Sequence, residues 1–85
     1  MFNVELGSEA KRFLKKLERK ACERIIAKID KLKTEPFPQE AKRIVGKQDK
    51  IFRVRVGDYR IQYSVFYDKN LIFISDIDKR ERAYD

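Results

Sequence analysis

"FRVRVGDYRIQYSV", Phe52 to Val65, is the stretch whose reading decides the fold. Two runs of alternating apolar and polar residues flank Gly57 and Asp58, a dipeptide that reads as a two-residue hairpin turn. Such a turn fixes the pairing: Val56 stands opposite Tyr59, Arg55 opposite Arg60, and Arg53 opposite Gln62. Alternation then assigns Phe52, Val54, Val56, Ile61, Tyr63 and Val65 to one face, with Tyr59 turned the same way. Ile51, Arg53, Arg55, Arg60, Gln62 and Ser64 take the other. The first face belongs in a core. The second sets two guanidinium groups side by side, which destabilises a strand pair unless an anion relieves it.

Outward from the hairpin, three strand-like runs form an antiparallel meander: Ile51 to Val56, Tyr59 to Tyr67 and Leu71 to Ile77, divided by "GD" and "DKN". Upstream, "MFNVEL" alternates Phe2, Val4 and Leu6 as a half-buried strand that ends near Gly7. Ser8 is placed to cap a helix carrying Ala10, Phe13, Leu14 and Leu17. Cys22, Ile25, Ile26, Ile29 and Leu32 continue the helical spacing, and a shift of the apolar face near Lys20 suggests a second helix, although no Gly or Pro divides them. Pro36 and Pro38 end it. A loop through Arg43 and Gly46 leads to the meander, and "DKRERAYD" is too polar for a core and reads as a surface tail. The expected architecture is α+β: an N-terminal strand, two amphipathic helices forming a hairpin, then the three-stranded meander and short tail, with the helices on one sheet face, all in one domain over residues 1–85.

The chain has 85 residues, 21 lysines and arginines against 14 acids, and a net charge of +7. That excess attracts nucleic acid, anionic membrane or an acidic protein without choosing among them. Histidine is absent and Cys22 is the sole cysteine, which removes the commonest general base, the commonest metal ligand and any internal disulfide. Cys22 reads as a small buried or half-buried helix residue. The first residues lack the basic start and apolar run of a signal peptide, and no segment approaches the roughly 20 apolar residues of a membrane span, so the expected location is the cytoplasm, with no membrane partner.

Arginine's planar fork suits bidentate contact with phosphate, so the hairpin's outer face reads either as a phosphate site or as a solvated basic surface. Arg80 and Arg82 follow the last strand and can bring further guanidiniums to its rim, unless Asp78 and Glu81 tie them into salt bridges. Tyr84 is open to packing, stacking or proton handling.

The "VGDYRIQYSV" hairpin, the "DKRERAY" ending and the order of elements together resemble the RelE/ParE toxin superfamily of type II toxin–antitoxin systems over essentially the whole chain. "DKRER" is more similar to the RelE branch, whose members cut messenger RNA in the ribosomal A site, than to the ParE branch, whose members poison DNA gyrase. The resemblance implies that Arg60 and Arg80 stabilise the scissile phosphate, and that Tyr84, about two residues closer to "KRER" than in better-known bacterial members, orients or activates the attacking hydroxyl. Arg53 and Arg55 fall where those members have lysines. With Arg82 and Gln62 they are expected to bind RNA or phosphate.

The implied activity is that of a metal-independent, ribosome-dependent endoribonuclease with no cofactor. Its implied partners are the ribosome, mRNA and a RelB-like antitoxin that forms a hetero-oligomer with it. An arginine keeps its proton in proteins, so Arg53 and Arg55 bind rather than abstract, and the general base stays open among Tyr84, a water and a ribosomal group. Lysines on the outer helix faces, Lys11, Lys15, Lys28 and Lys31, are either contacts to ribosomal RNA backbone or solvated. Two other functions remain open: a ParE-like gyrase inhibitor without nuclease chemistry, and a non-toxic nucleic-acid-binding module.

Overall fold

The structure, a computed structural model, describes residues 1–44 and 50–79. Arg80, Arg82 and Tyr84, and Gly46 with most of its loop, lie outside the described residues. The elements are β1 (Asn3–Leu6), α1 (Ser8–Lys15), α2 (Arg19–Thr34), β2 (Lys42–Arg43), β3 (Phe52–Val56), β4 (Tyr59–Phe66) and β5 (Leu71–Lys79), with a 3₁₀ turn at Tyr67–Lys69. They build one five-stranded sheet in the order β1-β5-β4-β3-β2. β1 runs parallel to β5 and the other pairs are antiparallel.

The hairpin has the register that its turn length dictates: Val56 faces Tyr59, Arg55 faces Arg60 and Arg53 faces Gln62. Gly57 carries φ +58° and Asp58 does not share the positive sign, the pattern of a type II′ turn, whose twist suits a tight hairpin. α2 lies close by, and a Cβ on Gly57 would come within 2.7 Å of Arg24 Nη2.

The core lies between the helices and the inner sheet face. Ala10 of α1 and Ile25, Ile29 and Leu32 of α2 pack with Val54, Ile61, Tyr63, Ile72, Ile74 and Ile77. The α2 residues recur at three- and four-residue steps, so they form one stripe along the helix. Tyr63 is fully buried, and its hydroxyl donates a 2.7 Å hydrogen bond to the Pro36 carbonyl. Burial pushes its pKa up to about 12. Phe37 stacks edge-on against Phe52, 4.8 Å between centroids, so the segment after α2 is held on the sheet from two directions.

Several expectations are corrected. Ser8 does not cap α1: Gly7 is the N-cap, in extended conformation, and its carbonyl accepts from the Lys11 N–H. The Gly7 N–H also donates to Ile74, and a Cβ there would meet Phe73 and the Ile74 carbonyl at 3.0 and 3.2 Å. The close approach of β1 to β5 therefore fixes where the helix begins. The two helices divide at residues 16–18 rather than near Lys20, where the Lys16 and Leu17 N–H groups make i→i−3 bonds to Phe13 and Leu14. Lys42 and Arg43, expected in a loop, form a short edge strand against β3. β4 ends at Phe66, and β5 runs past Ile77 to Lys79, taking two residues from the expected tail.

Gly57→Ala should leave the fold intact but lower unfolding free energy in urea by roughly 1–2 kcal/mol, the cost of a left-handed backbone for an L-residue. Displacement of Arg24 adds to that loss.

Candidate nucleic-acid interface

Residues opposite one another in an antiparallel pair share a face, so the register composes the outer side of the sheet as two rows. One row reads Arg55 on β3, Arg60 on β4 and Asp78 on β5. The next reads Lys42 on β2, Arg53 on β3, Gln62 on β4 and Asp76 on β5. Cations occupy the β2, β3 and β4 columns and carboxylates the β5 column. Farther along, Phe66, Leu71 and Phe73 make the same face apolar.

A bulge produces the acidic column. Gln62 pairs with Asp76, but Tyr63 pairs with Ile74, so Ser75 is an extra residue on β5, and its Oγ donates to the Gln62 carbonyl at 3.3 Å. The insertion changes the phase of the strand. Ile72 and Ile74 point inward before it, and Ile77 points inward after it, leaving Asp76 and Asp78 outside.

The Arg60 guanidinium Nη2 lies 3.2 Å from Asp78 Oδ2, with side chains only 14% and 30% exposed. The pair supplies an opposite charge where Arg55 stands across from Arg60. It is incompletely satisfied, since Arg60 Nε and Asp78 Oδ1 are buried without hydrogen-bond partners among the described residues. The neighbouring Asp76 carboxyl is pushed above the usual carboxylate range, first by burial, then by Asp78. Glu9 acts in the same direction, while the Ile77 N–H and Arg60 oppose it. Glu9 and Arg12 of α1, with Lys16 just beyond its end, border these aspartates across a groove of about 300 Å³.

Of the expected site residues, the structure brings Arg53, Arg55, Arg60 and Gln62 together. Arg80, Arg82 and Tyr84 lie outside the described residues, so their gathering at this rim is not part of the geometry. Asp78, a candidate partner for the tail arginines, engages Arg60. Lys42 and Asp76 were missed as members of this face. A two-residue strand offers no periodicity to read, whereas the three-residue step from Ile74 to Ile77 was a legible sign of the bulge. Lys28 is half-buried and paired with Glu40, whose carboxyl the hydrogen bond from Lys28 holds below its usual range. Lys11, Lys15 and Lys31 are exposed, and Cys22 is half-buried on α2. Among the described residues, no three potential metal ligands are grouped, and no helix is long and apolar enough to cross a membrane.

The chain matches the family described as ParE toxin of type II toxin–antitoxin system, parDE, over residues 4–84. It is 40% identical over 86 aligned residues to the Methanocaldococcus jannaschii protein named "Putative toxin RelE1", covering 98% of this chain and 94% of that one. The RelE chain in the crystal structure of the archaeal RelE–RelB complex from Pyrococcus horikoshii OT3 superposes with a TM-score of 0.81 at 29% identity, covering 95% of this chain and 97% of that one. The isolated E. coli RelE toxin gives a TM-score of 0.81 at 20% identity, covering 99% and 92%, and shares the fold. The chain therefore belongs to the RelE/ParE superfamily of toxins. Within it, this is a RelE-like toxin of a type II toxin–antitoxin system.

The raised Asp76 pKa has a definite consequence for stability. A carboxyl that holds its proton more tightly in the folded state makes folding less favourable as pH rises from about 3.9, the unfolded value, through the folded one. Asp76→Asn should therefore be more stable than the parent at pH 7, and the difference should vanish in acid once both states are protonated. Thermal unfolding of both proteins from pH 3 to 8 checks this.

Proposed function

We propose that this toxin is a ribosome-dependent endoribonuclease that cleaves mRNA in the ribosomal A site and so stops translation. The observation that carries the reading is the placement of Arg53, Arg55 and Arg60 beside Gln62 on the open sheet face. Attack of a ribose 2′-hydroxyl on the adjacent phosphate builds negative charge on a pentacoordinate phosphorane. Fixed guanidinium donors stabilise that charge, with one oriented donor supplying about 10² to 10³ in rate. The chemistry requires no cofactor or metal if side chains or water move the protons. By resemblance, Arg80 joins Arg60 on the phosphate, Arg82 adds a contact, and Tyr84 orients the attacking hydroxyl. Lys42 extends the cationic row toward the message backbone.

The Pyrococcus neighbour is a complex with RelB, and a RelB-like antitoxin is the partner proposed for this chain, acting in the cytoplasm as part of a hetero-oligomer. A net charge of +7 favours an acidic partner segment. A groove of about 470 Å³ on α2, lined in part by Leu17, Cys22, Ile26 and Ala27, offers such a segment apolar anchoring. The match to the ParE family favours one second reading, a gyrase inhibitor without nuclease chemistry.

The test is purified protein on ribosomes programmed with a defined message, with cuts mapped by primer extension beside the same message without ribosomes. Cuts confined to the A-site codon are expected, falling by about 10² to 10³ in Arg60→Ala. An Arg60→Ala/Asp78→Ala variant, which removes the stranded carboxylate, should be equally impaired while folded. Absence of cuts in both conditions, with DNA breaks and lost supercoiling when gyrase is supplied, would select the second reading.

A further inference from the structure

Cleavage by the 2′-hydroxyl requires a group that takes its proton, and the described residues narrow the choice. Arg53, Arg55 and Arg60 retain their protons as arginines do in proteins, and Gln62 has no useful basicity. The Tyr63 hydroxyl is buried on the opposite face, bonded to Pro36, with its pKa pushed up to about 12. Tyr59 packs on the core side, 6.0 Å from the Phe13 ring. Asp78 is engaged by Arg60. Lys42 stands on the exposed edge strand β2, at the far end of its row from β5.

Asp76 remains. The bulge turns it to the open face, across from Gln62 and one row from the Arg60–Asp78 pair. It lies two strands from Arg53, so a phosphate held over the β3 and β4 arginines has this carboxylate at its flank.

We propose that Asp76 is the general base of the cleavage reaction, an assignment that rests on the endoribonuclease reading above. Its carboxylate takes the 2′-hydroxyl proton as the O2′–P bond forms. The P–O5′ bond then breaks, and the leaving 5′ oxygen takes a proton from water. The resulting Asp76 carboxylic acid returns its proton to solvent, leaving a 2′,3′-cyclic phosphate and a 5′-hydroxyl. Burial and the neighbouring acids raise the affinity of Asp76 for that proton. The charged groups around it are Asp78 on its own strand, Arg60 and Arg53 across the sheet, Glu9 and Arg12 from α1, and Lys16 just beyond that helix.

Single-turnover cleavage on programmed ribosomes, measured from acidic to alkaline pH, tests the assignment. The unsubstituted toxin should speed up as pH rises through the Asp76 pKa. Asp76→Asn should lose about 10² or more in rate together with that acidic limb, while its half-saturating ribosome concentration stays put. Its melting temperature at pH 7 should be no lower than the parent's, which separates lost chemistry from lost fold. Asp76→Glu should recover part of the rate and the limb. The assignment is overturned if Asp76→Asn cuts within about threefold of the parent, or if the acidic limb survives in it and disappears in Tyr84→Phe or Lys42→Gln. If the parent itself makes no cut, the endoribonuclease reading fails and takes this assignment with it.

Discussion

The register of the β3–β4 hairpin is the constraint on which the rest depends. A turn of two residues, with Gly57 at φ +58°, allows one alignment of the strands. Because side chains alternate with period two, slipping that alignment by one residue would exchange the faces. Val54, Ile61 and Tyr63 would lose their places under α1 and α2, and the arginines would be forced into the core. The apolar core and the basic face are consequently two sides of one backbone decision. Opposed guanidiniums at Arg55 and Arg60 come with that register. They cannot be separated without giving up the packing below.

The β5 bulge answers the electrostatic problem that the hairpin creates. Without Ser75 as an extra residue, the alternation begun by Ile72 and Ile74 would carry Asp76 and Asp78 inward and Ile77 outward. Two carboxylates would then lose water without gaining arginines, while an isoleucine side chain lay in solvent. The bulge reverses all three positions. It places Asp78 against Arg60, where an opposite charge offsets the repulsion from Arg55. The ion pair is only half-bonded, with Arg60 Nε and Asp78 Oδ1 lacking partners among the described residues.

Strong local signals made the hairpin legible. A two-residue turn between alternating runs specifies both pairing and face, and Arg53, Arg55, Arg60 and Gln62 all lie where that reading puts them. The boundary between the helices carried no such signal. A change of apolar phase near Lys20 hinted at a second helix, but with no Gly or Pro to mark the break it could not place the turn at residues 16–18. Gly7 was passed over for Ser8 because cap preference is a local statistic, whereas the near approach of Phe73 and Ile74 is tertiary. The Asp78–Arg60 pair went unread for a related reason: the cross-strand neighbour depends on a bulge located elsewhere in the strand.

A single free-energy difference connects stability to chemistry at Asp76. The environment that raises its pKa favours the neutral acid over the carboxylate, so the ionised form burdens the folded state as pH rises. The same preference measures how strongly the carboxylate draws a proton, which is the property a general base requires. Replacing it with a neutral isostere would relieve the fold and remove the acceptor together. A carboxylate kept only for stability would instead be better placed where its ionised form is favoured, as Glu40 is beside Lys28. The contrast between these two acids is one of surroundings: Glu40 lies beside Lys28, whereas Asp76 lies beside Asp78 and partly out of water.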